Sequence, residues 1–110
     1  MPGILAGDSN FVTPTTVAST LGALARWSRV KVKARNVTLY TPDGSDGTNG
    51  PAANTDVVWV GPNKTTGFPL GPGKAVTIWN VNPYDVGVTS PSASQKLFFV
   101  FGGDDATDSP

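Results

Sequence analysis

The sequence predicts a single all-β domain, a sandwich or small barrel of roughly six to eight short strands. Three observations carry that prediction. Short runs of Val, Ile, Leu, Thr, Phe and Trp recur along the chain, bounded by Gly, Pro, Asn and Asp. Strong helix formers are scarce: there is no glutamate, while 13 glycines and 10 prolines punctuate 110 residues. No segment repeats, and the length suits one domain. A chain of this size hides about two thirds of the surface it exposes when unfolded, so its core needs no staples. The sequence contains no cysteine, which excludes disulfides and thiolate metal sites.

Taken in order, residues 1–15 hold Gly and Pro without a clear period and read as an arm or a loosely attached strand. Residues 16–27 fit two patterns. Val17, Leu21, Leu24 and Ala25 suit a helix starting near Thr13-Pro14, and Val17, Ser19, Leu21, Ala23 and Ala25 suit a strand. Gly22 and the threonines favour the strand. Next, RVKVKAR (29–35) alternates cations with Val30, Val32 and Ala34, which predicts a strand over 29–34. Its alternation puts Arg29, Lys31, Lys33 and Arg35 on one face, about 7 Å apart. The apolar phase then slips by one residue to Val37 and Leu39, as a bulge or tight bend near Arg35-Asn36 produces. TPDGSDGTNGPAAN (41–54) reads as a long loop with no apolar anchor beyond alanine. VVWV (57–60) is a strand apolar on both faces, and GPNKTTGFPLGPGK (61–74) a connection built of turn residues. AVTIWNV (75–81), VGV (86–88) and KLFFVF (96–101) supply the remaining strands. The expected organisation is an arm over 1–15, a β-sandwich over 16–102 and an acidic tail over 103–110.

Net charge is zero, yet the charges are segregated. Arg26, Arg29, Lys31, Lys33 and Arg35 lie within ten residues that hold no acid, and Asp104, Asp105 and Asp108 fall in the last seven. Such a dipolar chain is suited to docking on an acidic protein surface, the tail of a neighbouring copy included. The plainer reading of the cationic strand is a solvated face whose lysines deter unwanted pairing. Nucleic-acid binding needs a net basic surface with exposed stacking aromatics, so no nucleic-acid partner is expected. The longest wholly apolar run, Leu97 to Phe101, is far short of the roughly 20 residues of a membrane helix. MPGILAGDSN lacks the basic and apolar regions of a signal peptide. A soluble chain with no membrane partner is the expectation.

Catalysis is poorly provided for. Without His, Cys or Glu, a general base must be Asp, Lys or Tyr, and no nucleophile has an evident activating neighbour. No catalytic, cofactor-binding or metal residue is therefore expected. GFPLGPGKA misses the phosphate-loop spacing by one residue, has Ala75 where Ser or Thr is required, and precedes a strand. Asp43, Asp46 and Asn49 offer oxygen ligands for calcium without the alternate-residue spacing of an EF-hand, and read as loop. Asn36-Val37-Thr38 and Asn63-Lys64-Thr65 match the glycosylation sequon and read as chance matches. Trp27, Trp59, Trp79, Tyr40 and Tyr84 offer rings for a sugar platform. Trp59 and Trp79 sit in apolar strands, however, so core or subunit contact is the expected role.

The span NTDVVWVG (54–61), the turn GFPLGPG (67–73) and the alternating strand from Ala75 to Val81 together resemble small β-sandwich proteins of tailed-phage virions. The likeness covers about residues 28–101 and is one of strand, turn and strand rather than of active-site residues. It implies a jelly-roll-like accessory subunit of the capsid decoration or cement type. The long 41–54 loop and the Asp-rich tail depart from the family pattern. On that likeness the chain is expected to be a structural virion protein on the capsid exterior, made in the host cytoplasm. It would bind the assembled major capsid protein through Arg29, Lys31, Lys33 and Arg35, as a homo-oligomer on the particle. The alternative is a carbohydrate-recognition module of a tail or fibre.

Overall fold

Alternation of apolar side chains decides the layers. Val37 and Leu39 are both fully buried, as are Val58 and Val60, while the residues between them are half-buried. The computed structural model of the chain describes residues 11–27, 35–45, 47, 50–62 and 67–102. Within them run β1 (Phe11–Val12), β2 (Ser19–Thr20), α1 (Leu21–Ala25), β3 (Asn36–Tyr40) and β4 (Val58–Gly61). They are followed by β5 (Phe68–Leu70), β6 (Ala75–Trp79), a 3-10 turn at Pro83–Asp85, β7 (Gly87–Thr89) and β8 (Leu97–Gly102). The strands form two antiparallel sheets, in the orders β1-β8-β3-β6 and β2-β7-β4-β5.

The pairings β1 with β8, β2 with β7, β3 with β6 and β4 with β5 are all antiparallel. The first half of the chain thus runs back along the second as one long ribbon, turning between β4 and β5. Two further pairings, β3 with β8 and β4 with β7, close the rolled ribbon into two sheets. This is the wiring of a jelly roll, as expected.

One core serves both sheets. Val12, Val37, Leu39, Leu97 and Phe99 meet Val58, Val60, Leu70 and Val88 from the other layer, with Leu21, Trp27, Val81 and Val86 filling the ends. The Trp27 ring stands edge-on to Phe99, with centroids 5.1 Å apart.

Several elements differ from the sequence expectations. Residues 16–27 are not one strand: Ser19–Thr20 pairs with β7, and the chain then enters a single helical turn. The Thr20 hydroxyl accepts from the Ala23 amide at 3.1 Å, satisfying a donor that the short helix leaves open. Arg26 ends the turn in the left-handed region at φ 62°. Gly22 is there for space rather than for a strand, because a Cβ on it would lie 2.0 Å from the Tyr84 ring.

Within 61–74, Phe68–Leu70 forms the edge strand β5. Pro69 at its centre disguises it in the sequence, and an edge is where a sheet accepts proline. Phe11 and Val12 join the sheet as its other edge, within the stretch read as an arm or a loosely attached strand, and so agree with the second of those readings. The 41–54 loop is anchored by polar groups rather than apolar ones. The buried Thr41 hydroxyl donates to the Gly71 carbonyl at 2.6 Å, and the Asn54 amide donates to the Pro42 carbonyl at 2.9 Å. The Asn54 and Gln95 side chains tie the far end of the loop to the start of β8 through Lys96, Thr55 and Asp56. The phase slip near Arg35-Asn36 coincides with a bend at Arg35. Opposite it, Asn80 (φ 55°) and Val81 share one position, the Val81 amide donating to the Arg35 carbonyl.

Gly22→Ala is a direct test of the helix–turn packing. In an open helix the change stabilises by about 0.8–1 kcal/mol. Against the Tyr84 ring it should instead destabilise by about 1–3 kcal/mol in denaturant titration, as an overpacked site does. Pairing it with Tyr84→Ala should recover part of that loss.

Candidate interaction surface

Residues paired across neighbouring antiparallel strands point to the same face, so the strand registers place the outward side chains without ambiguity. On the β1-β8-β3-β6 sheet, Thr38 lies between Val100 and Thr77, and Tyr40 between Phe98 and Ala75. Phe11 extends the second row beyond Phe98, and Asn36 pairs with Trp79. The two threonine hydroxyls bond at 2.8 Å, and the Phe11 and Phe98 rings lie 5.3 Å apart. A solvated sheet face is ordinarily polar. This one combines Phe11, Phe98, Tyr40, Val100 and Trp79 with threonine, and none of these positions carries a charge. Trp79 is 69% exposed.

Cations stand at the ends of this face. Arg35 is exposed beside the Asn36–Trp79 row. At the opposite end Lys74 is exposed next to Ala75, and the Lys96 ammonium sits 5.8 Å from the centre of the Phe11 ring. Of the four cations singled out in the sequence, Arg35 is thus located, while Arg29, Lys31 and Lys33 lie outside the described residues. So do the strand expected over 29–34, residues 1–10, and the tail over 103–110 with Asp104, Asp105 and Asp108.

The tryptophans divide three ways. Trp27 is the buried one, Trp59 is half-buried, and Trp79 is open to solvent, so of the two roles expected for Trp79, core or subunit contact, the core role is excluded. Trp59 points outward from the other sheet, in a row with Thr89 and Pro69. The two outward indoles therefore stand on separate sheets and do not line one groove.

The described aspartates with shifted acidities hold turns. The Ser45 hydroxyl and amide both donate to Asp43, keeping its carboxyl below its ordinary pKa. The Ser92 hydroxyl and the Val57 amide do the same for Asp56. Asp46 and Asn49, the other oxygen donors of the loop, lie outside the described residues, and no cluster of three potential metal ligands occurs among those described. Asn36 of the first sequon is buried in β3, where a glycan has no room, and Asn63 is outside the described residues.

The aromatic face was legible in the sequence only in part, as the run at 96–101 that is apolar on both faces and so suited to meeting another copy or a partner. The rest of its signal lay in alternate residues, Phe98 and Val100 in KLFFVF and Trp79 in AVTIWNV, which are apolar although they face outward. Comparison with protein families, with curated proteins and with solved structures gives no match.

The face makes an optical prediction. Acrylamide should quench Trp79 readily, Trp59 partly and Trp27 hardly at all. Trp79→Phe should remove most of the readily quenched emission; an unchanged quenching curve would mean that the indole is covered.

Proposed function

We propose that this chain is a structural virion protein that decorates and stabilises a phage capsid by binding the assembled lattice of the major capsid protein. The observation that carries the reading is the uncharged aromatic face of the β1-β8-β3-β6 sheet with Arg35, Lys74 and Lys96 at its ends. An apolar centre with a charged rim is the anatomy of a protein–protein contact. The jelly-roll wiring and the likeness of residues 54–81 to virion accessory proteins support the same reading. So does the small provision for catalysis, with no His, Cys or Glu in the chain.

Cementing needs no chemistry. A subunit that binds the closed shell better than its loose parts stabilises the shell by mass action. Repetition over a lattice then turns many weak contacts into firm attachment. The cationic row Arg29, Lys31, Lys33 and Arg35 supplies the electrostatic part of that contact. Exposed pairs contribute at most about 1 kcal/mol each, so the effect comes from several acting together and is sensitive to salt.

A carbohydrate-recognition module of a tail or fibre is the second reading, favoured by the open Trp79 ring with Thr77 and Thr38 beside it. A sugar platform also needs groups converging around the ring, and Trp59, on the other sheet, adds nothing to it.

Replacing Lys31 and Lys33 with Gln should lower occupancy on capsids, scored by electron microscopy, and leave the melting temperature unchanged. Raising the salt should mimic the substitution. Normal decoration by the double variant at low and high salt would reduce the row to a solvated face. Glycan binding abolished by Trp79→Ala, with no capsid binding, would favour the second reading.

A further inference from the structure

A ladder hydrogen bond fixes which way β6 presents its backbone. The Thr41 amide donates to the Lys74 carbonyl at 3.0 Å. Alternation in an antiparallel pair then turns the amides and carbonyls of Val76 and Ile78 toward β3, and those of Ala75, Thr77 and Trp79 away from it. Among the described residues no strand pairs with β6 on that second side. The other edge strands are poorer templates: β1 and β2 are two residues long, and β5 has three with Pro69 in the middle. β6 has five residues, AVTIW, with no proline and no charge. Natural edges are ordinarily blunted by one or the other.

We infer that β6 is a strand-addition edge whose partner is β6 of a second copy, paired antiparallel about a two-fold axis through Thr77. Only this register uses every outward group. Thr77 faces the partner's Thr77, and Ala75 faces the partner's Trp79, so all three outward residues of each strand meet outward residues of the other. Sliding by two residues leaves one of the three unpaired on each strand.

Side chains agree with this register. Each Trp79 ring lies beside the partner's Ala75, large against small, and both are exposed in the single chain. The paired hydroxyls of Thr38 and Thr77 continue across the axis as one row. Charge is compatible too, because continuing the register sets Lys74 opposite the partner's Asn80, with no cation against a cation. The outer faces of the two copies then join into one eight-stranded surface. Two indoles contribute roughly 300–500 Å² of contact, against the roughly 1,200–2,000 Å² of a stable interface. The dimer is accordingly weak in dilute solution and forms where copies are crowded. The inference rests on the β6 edge and stands whether or not the chain decorates a capsid.

A chain without cysteine makes the test clean. Directly opposed residues sit about 5.5 Å apart at Cα, inside the roughly 4.4–6.8 Å span of a disulfide. At high protein concentration, Thr77→Cys should form a covalent dimer on oxidation or with a short bis-maleimide. It should do so at least about tenfold faster than Thr89→Cys on the other sheet, since pairing raises the effective concentration of the two sulfurs. Ala75→Cys alone and Trp79→Cys alone should not cross-link, because like positions are four residues apart, about 13 Å. Mixed together, these two variants should cross-link. The unmodified chain should show a concentration-dependent monomer–dimer equilibrium in sedimentation. A strictly monomeric chain, equal rates for Thr77→Cys and Thr89→Cys, or cross-linking of Ala75→Cys with itself would each overturn the proposal.

Discussion

The structure depends on β3 having both of its edges occupied and one of its faces dry. Its even-numbered residues serve β8 and its odd-numbered residues serve β6, so five residues hold three strands in register. Val37 and Leu39 on its inner side are fully buried against the opposite sheet. Truncating a residue so placed typically costs about 2–5 kcal/mol, a large share of the stability of a small domain. Because β3 is fixed on both sides, β6 can be an edge without being loose. Its backbone is held from within by β3, and its outward groups meet no strand among the described residues.

That arrangement separates fold from function. The inner faces carry the core and tolerate little, while the outer faces are set only by register. On the β1-β8-β3-β6 sheet the outer positions hold rings and threonines where solvent alone would favour charge. The cost is a surface prone to association, and cations at the two ends limit where it can associate. The open edge and the aromatic face are continuous through Trp79, so a single indole belongs to both.

Much of the architecture was legible in the sequence. Apolar runs and alternation identified β4, β6 and β8 to within two residues at either end, while of β3 the sequence showed the alternation of Val37 and Leu39 without its bounds. The misses have specific causes. β5 was hidden by Pro69, which is harmless on an edge. The turn at Leu21–Ala25 was hidden by Gly22, whose purpose is the Tyr84 ring lying against it, a partner 62 residues away in sequence. The anchoring of the 41–54 loop by Thr41 and Asn54 was invisible, since polar residues announce no partners. Of the site, the cationic row was conspicuous as a pattern, whereas of the aromatic face only the two-sided apolar run at 96–101 was legible until the registers brought Phe11, Phe98, Tyr40 and Trp79 onto one side. Trp79 read as core or subunit contact because it sits in a largely apolar strand, and alternation alone did not choose between the two.

Among the described residues β6 is paired on one side only, with Thr77 at the middle of the other. Residue-resolved hydrogen exchange in dilute solution measures this directly. The amides of Val76 and Ile78, bonded to β3, should be protected to nearly the depth of the core, while that of Thr77 exchanges early. Protection of Thr77 equal to that of its two neighbours in the dilute monomer would contradict the register and the open edge together.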